Sequence, residues 1–144
     1  MNAYADTSFL LSLYAPDANS AAAAATMAKL RPPLPCTQLQ QAEVRNATRL
    51  RVFRKELTPA ERDAALEQFA NDLASGILTP TPLVWADVWR ETERLSARHA
   101  ETIGARTLDL LHIAAARTLG VTELLTFDVR QRAVARAEGL RVKP

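Results

Sequence analysis

The segment Arg106-Thr-Leu-Asp-Leu-Leu-His-Ile-Ala-Ala-Ala constrains this chain more than any other. Leu108, Leu110, Leu111, Ile113, Ala114, Ala115 and Ala116 go right round a helical wheel, and a helix apolar on nearly every side is a buried one. Asp109 nevertheless sits in its first turn. Burying an unpaired carboxylate costs several kcal/mol even after relaxation. The fold must therefore offset this charge with a helix N-terminus, an arginine or a metal ion.

The rest of the chain alternates short apolar runs with helical patterns. Asn2 to Ala5 reads as a strand ending at Asp6-Thr7-Ser8, whose hydroxyls suit the start of a helix through Tyr14. An alanine-rich helix from Asn19 to Leu30 is stopped by Arg31-Pro32-Pro33. Leu34 to Thr37 is a second strand, followed by a helix from Gln38 to Phe53 with the stripe Leu39, Ala42, Asn46 or Ala47, and Leu50. Thr58-Pro59-Ala60-Glu61 is a capping box with proline at the first helical position, and Leu66, Phe69, Ala70 and Leu73 share a face before Gly76. Ile77 to Pro80 reads as a third strand, short or at a sheet edge because of its prolines. Val84, Trp85, Val88, Trp89 and Leu95 mark another amphipathic helix, with both tryptophans expected in the core, and a polar bridge runs from His99 to Arg106. Leu124 to Phe127 is a fourth strand, Asp128 opens a last helix to Glu138-Gly139, and Leu140 to Val142 is a fifth strand. This order predicts one α/β domain over 1–144, a three-layer α/β/α arrangement around a central parallel sheet of four to five short strands.

In open parallel sheets the functional crevice lies beyond the carboxyl ends of the strands. Asp6 and Asp128 follow the first and fourth strands, Asp109 opens the buried helix, and Glu43 lies early in the helix after the second strand. Other acids, such as Glu61, Asp63, Glu91 and Glu93, fall in charged helical stretches that read as solvated. Converging carboxylates raise one another's pKa or take up a cation. Oxygen donors without a histidine or cysteine cluster favour magnesium or manganese over zinc. Such an ion suits hydrolysis of a phosphodiester. Each acid also has a structural reading: Asp128 with Gln131 as a capping box, Asp109 as a helix-dipole partner, Asp6 as a turn residue. A dipole contribution of about 1 kcal/mol does not cover the burial of Asp109.

Arginine supplies 15 of the 18 basic residues, which suits phosphate partners, although a genome rich in G and C would produce the same bias. The single cysteine, Cys36, reads as a buried filler without redox chemistry. No run approaches a membrane span and the N-terminal residues lack a secretion leader, so a cytoplasmic location is expected. Aromatic residues are too few for a base-stacking platform.

Four ordered stretches carry a family resemblance: Ala5-Asp6-Thr7-Ser8-Phe9-Leu10-Leu11, Ala42-Glu43, Leu108 to Ala116, and Thr126-Phe127-Asp128. Together they resemble a PIN domain, specifically the VapC-type toxins of bacterial toxin–antitoxin pairs. The resemblance implies an endoribonuclease dependent on Mg2+ or Mn2+, usually a homodimer, inhibited by a small cognate antitoxin. It also implies that Asp6, Glu43, Asp109 and Asp128 form the acidic metal-binding and catalytic cluster, with Thr126 as a hydroxyl beside it. A catalytically silent PIN-like module that holds RNA or protein is the alternative. Ser8 either orients Asp6 or caps the first helix, with the cap favoured. His112, one turn from Asp109, is either a partner of the carboxylates or a satisfied core histidine, the latter favoured. Arg106, Arg45 and Arg130 are candidates for RNA phosphate contacts or for charge balance. An aspartyl phosphotransferase with Asp6 as nucleophile is disfavoured, because Ser8 stands where a second aspartate is needed.

Overall fold

The computed structural model of the chain describes residues 2–144. The elements run β1 (Ala3–Ala5), α1 (Thr7–Tyr14), α2 (Ser20–Lys29), β2 (Leu34–Cys36), α3 (Gln38–Phe53) and α4 (Pro59–Ser75). They continue β3 (Leu78–Pro80), α5 (Trp85–Ile103), α6 (Thr107–Thr118), β4 (Glu123–Leu125), α7 (Val129–Ala137) and β5 (Arg141–Lys143). All strand pairing is parallel, in a ladder ordered β1-β4-β5 and a second ladder β2-β3. β2 lies beside β1, and Gln40 bridges the two ladders by donating its side-chain amide to the Ala5 carbonyl at 2.6 Å.

Strand pleating sorts the side chains into the two faces. Ala3, Ala5 and Leu125 belong to a core shared with α1 to α4, whereas Tyr4 and Leu124 belong to the core shared with α5, α6 and α7. The result is the expected α/β/α layering. Helix α6 is buried from Asp109 to Ala116, each large apolar side chain among these contributing about 1.5–3 kcal/mol by removal from water. Leu108, expected in the core, is half exposed, because it stands in the first turn where the helix meets solvent.

Local chemistry accounts for the boundaries. Thr58 and Glu61 form the reciprocal capping box ahead of α4, and Gly76 closes that helix at φ 84°, a left-handed conformation that disfavours side chains. Thr37 and Gln40 form a second such box on α3 that the apolar pattern does not announce. The polar bridge expected from His99 to Arg106 is shorter than that: α5 runs to Ile103, and left-handed Gly104 turns the chain into α6.

Two helices are rotated from their expected faces. In α3 the buried positions are Gln40, Val44 and Thr48, while Ala42, Asn46 and Leu50 face water. In α5 they are Val88, Thr92, Leu95 and His99, so Trp85 and Trp89 lie outside the core, tilted against each other with ring centroids 5.6 Å apart. Polar side chains carry both buried stripes because each finds a hydrogen bond. Thr48 donates to the Val44 carbonyl at 2.7 Å, Thr92 to that of Val88 at 2.8 Å, and His99 pairs with Glu138 at 2.6 Å.

Glu138 is the hub that fastens α7 to α5 and α6. Its side chain is 3% exposed and lies 2.6 Å from Arg94, 3.4 Å from Arg98 and 3.6 Å from Arg117. Glu91, expected in solvent, joins the same network through Arg94 at 2.7 Å and Arg117 at 2.5 Å. Burial alone would raise the Glu138 carboxyl, but Arg94, His99 and Arg98 outweigh it and hold the group at about 2.

Glu138→Gln should therefore destabilise the fold at pH 7 by about 2 kcal/mol, at the low end for a buried ion pair because its arginines are partly solvated. A depressed pKa adds stability above the ordinary carboxyl value and loses it as pH falls towards the folded-state value. The gap between wild type and variant should thus narrow in urea titrations at about pH 3. Trp89→Ala should change stability by less than about 1 kcal/mol in the same titrations.

Candidate functional site

The carboxyl end of β1 opens into a cavity of about 530 Å³ bordered by α1, α3, α6 and α7. Asp6, Glu43, Asp109 and Asp128, drawn from four separate stretches of sequence, all line it. Ser8, Arg106, His112 and Gln131 complete much of the wall. Parallel pairing brings the segments together: Ala5 stands opposite Leu125, and the Asp6 amide donates to the Leu125 carbonyl at 3.0 Å.

Asp6 is the deepest of the acids, with 0% exposure. It is the N-cap of α1, accepting the Phe9 amide at 2.9 Å. The Ser8 hydroxyl donates to its two oxygens at 2.8 and 3.0 Å, and Thr126 donates at 2.6 Å. The cap is thus Asp6, and Ser8, expected to cap α1, orients its carboxylate. The same two hydroxyls accept amides of the β4–α7 loop, Ser8 from Phe127 at 3.1 Å and Thr126 from Asp128 at 3.0 Å. Desolvation raises the pKa of Asp6, and Thr126, the Phe9 amide, His112 and Ser8 pull against it.

Asp109 accepts the Arg106 amide at 3.0 Å, half of a capping box, and has the Arg106 guanidinium 3.9 Å away. Its other oxygen lies 3.4 Å from the side-chain amide of Gln131. Asp128 caps α7 by accepting the Gln131 amide at 2.9 Å. Gln131 does not return the favour as a capping box would, since its side chain turns to Asp109. Glu43 is half-buried and pairs with His112, which is 1% exposed and whose other ring nitrogen is 2.8 Å from the Tyr4 hydroxyl. Both readings of His112 therefore hold at once: it is a core histidine, and its core position is what brings it to Glu43.

Of the other arginines, Arg45 lies over the Phe69 ring at 5.7 Å and Arg130 is exposed, and neither lines the cavity. Gln131 is the site residue that sequence reasoning missed, because its spacing from Asp128 is fully explained by a cap. Tyr4 was equally hidden, as one apolar residue of a buried strand. Cys36 is buried away from this cavity, and burial pushes its thiol up to about 12.

The donor set matches a hard divalent cation: four carboxylates, no thiolate, and one imidazole already engaged on both nitrogens. Gln131 Oε1 is buried beside the same wall without a hydrogen-bond partner. Among the described residues no three Asp, Glu, His or Cys side chains stand close enough to hold an ion directly.

No curated protein matches the sequence. Among solved structures, VapC20 of Mycobacterium tuberculosis, described as a sarcin-ricin loop cleaving toxin, superposes with a TM-score of 0.71 at 21% identity, covering 99% of each chain. FitAcB from Neisseria gonorrhoeae superposes with a TM-score of 0.68 at 18% identity, covering 99% of this chain and 96% of that one. At these identities the likeness is one of fold. The model of the PIN domain family matches residues 3–137, and with the fold and the ordered acids beneath that match, the chain belongs to the PIN domain family.

Proposed function

We propose that this chain is a divalent-metal-dependent endoribonuclease acting as the toxin of a toxin–antitoxin pair. The observation that carries the reading is the meeting of Asp6, Glu43, Asp109 and Asp128 in one cavity of a PIN domain. In this reading Asp6, Asp109 and Asp128 bind Mg2+ or Mn2+, one or two of them directly and the rest through the ion's waters, with Glu43 as a further ligand or as the group that orients the attacking water. When bound, the ion supplies activation of water and charge compensation at the phosphate.

The chain's own residues do the remaining work. Ser8 and Thr126 fix the Asp6 carboxylate by their hydroxyl protons. Glu43 Oε1 is taken by His112, which leaves Oε2 to accept a proton or a hydrogen bond from water. Arg106, whose side chain is mostly exposed at the cavity edge, is placed to pair with an RNA phosphate. Among the described residues no helix is long and apolar enough to cross a membrane; the cytoplasmic location is part of the proposal itself. The cognate antitoxin and the homodimer belong to the same reading, as what membership of this kind of PIN domain implies.

A second reading, a silent module that holds RNA or protein without cutting, is favoured by the spacing of the acids, no three of which stand close enough to hold an ion directly. Calorimetric titration with manganese separates the two. A nuclease shows binding that Asp128→Asn weakens at least about tenfold, whereas a silent module shows no carboxylate-dependent binding.

Asp6→Asn should reduce magnesium-dependent RNA cleavage by at least about 100-fold without loss of fold. Because the folded-state pKa of Asp6 is raised above its ordinary 3.8, the charge opposes folding at neutral pH and not in acid, where both states are protonated. The variant should therefore melt at or above the wild-type temperature at pH 7, an advantage that fades in acid. Undiminished cleavage by Asp6→Asn would remove the basis of the nuclease reading.

A further inference from the structure

We infer that His112 is a positioning residue that holds the Glu43 carboxylate in one orientation, with its tautomer set from the core by Tyr4. The inference rests on the reading of Glu43 as part of the nuclease machinery. Its physical basis is a chain of side-chain hydrogen bonds that begins where nothing reaches solvent and ends at the cavity wall.

The chain begins at Tyr4, which is 0% exposed and, as a phenol at neutral pH, keeps its own proton. Its hydroxyl lies 2.8 Å from His112 Nδ1. At the other end of the ring the Glu43 carboxylate can only accept, so Nε2 carries the hydrogen and donates to Glu43 Oε1, while Nδ1 is left to accept the Tyr4 proton. The two partners select the same tautomer. The Thr7 hydroxyl, 3.3 Å from Nε2, flanks the same bond.

A core histidine needs only satisfied nitrogens. This one joins a buried strand residue to a half-buried carboxylate from a different helix, across 69 positions of sequence. An unrestrained glutamate samples many rotamers, and ordering it has an entropic cost that a preformed N–H donor removes in advance. The bond to Oε1 also decides which oxygen is left for the cavity. Outer partners that orient ligands through a second hydrogen bond typically change metal affinity or activity by about 10–100-fold when removed.

The test combines kinetics with a spectrum that does not depend on activity. In the wild type, 15N NMR of the His112 ring should report hydrogen on Nε2 alone, and Tyr4→Phe should give a mixture of tautomers. His112→Ala should lower kcat for RNA cleavage about 10–100-fold with KM changed less than about threefold, and His112→Gln, whose amide can reproduce the Nε2–H donor, should recover most of the loss. His112→Ala placed on Glu43→Gln should add little to the loss from Glu43→Gln alone, since both remove the same function. The inference is overturned by an Nδ1–H tautomer in the wild type, by unchanged kcat in folded His112→Ala, or by independent losses that multiply in the double variant. Should His112→Ala fail to fold, Tyr4→Phe carries the decision: an unchanged tautomer and unchanged kcat overturn it. If the wild type cleaves no RNA, the nuclease reading fails on its own, and the ring spectrum alone decides whether Tyr4 sets the donor facing Glu43.

Discussion

One carboxylate without solvent exposure, that of Asp6, holds together the two loops from which the cavity is built. Its oxygens accept the Phe9 amide and the hydroxyls of Ser8 and Thr126. Those hydroxyls in turn accept Phe127 and Asp128 amides from the opposite loop. The β1–α1 and β4–α7 connections are thus tied to a common anion. Removing the donors would strand a buried charge at a cost of several kcal/mol, whereas Asp6→Asn sheds the charge and keeps one acceptor oxygen for the Phe9 amide and the Ser8 hydroxyl. The raised pKa of Asp6 shows that the donors do not fully repay its desolvation. A residual mismatch of this kind, at the bottom of a cleft, supports the binding role proposed for Asp6.

The layers around this junction are oriented as much by polar side chains as by apolar ones. Gln40 is fully buried, accepts the Thr37 amide at 2.7 Å and donates to the Ala5 carbonyl at the end of β1. This pins α3 in the rotation that brings Glu43, three residues on, to the cavity. On the opposite face Glu138, His99, Arg94 and Arg117 clamp α5, α6 and α7 around α6, the helix that presents Asp109 and His112. The apolar core supplies most of the folding free energy, while these bonds choose which face of each helix is inward.

That division explains what was legible in the sequence. Helix α6 was readable because an all-round apolar helix leaves no choice of face, and the convergence of the four acids on one cavity was readable because Asp6 and Asp128 follow strands, Asp109 opens a helix and Glu43 lies early in one. The Thr58–Glu61 box was readable because capping is local chemistry. Face assignments for α3 and α5 were not, since a satisfied glutamine, threonine or histidine counts as polar in any periodicity yet lies inward here. Trp85 and Trp89 illustrate the error from the other side: large apolar residues at helical spacing, left outside because Thr92 and His99 had partners in the core. Ser8 was read as a cap for a related reason, because the competing acceptor, Asp6, caps α1 itself and needs the hydroxyl proton.

The spacing of Asp128 and Gln131 shows where local stability and the site diverge. A glutamine three residues after an N-cap normally reaches back to the cap amide. Here the Asp128 amide is satisfied by Thr126, so Gln131 is released from that duty and bridges to Asp109 instead. This links the two acids at the helix starts through one neutral residue, whose backbone amide serves Asp128 and whose side-chain amide serves Asp109. Arg106 stays mostly in solvent, 3.9 Å from Asp109, and so neutralises the cavity only at its edge. Negative charge inside therefore exceeds what the chain itself offsets, with an uncommitted Gln131 oxygen at the wall. Under the proposed function a hydrated divalent cation would offset that imbalance and make the cavity acceptable to a phosphate.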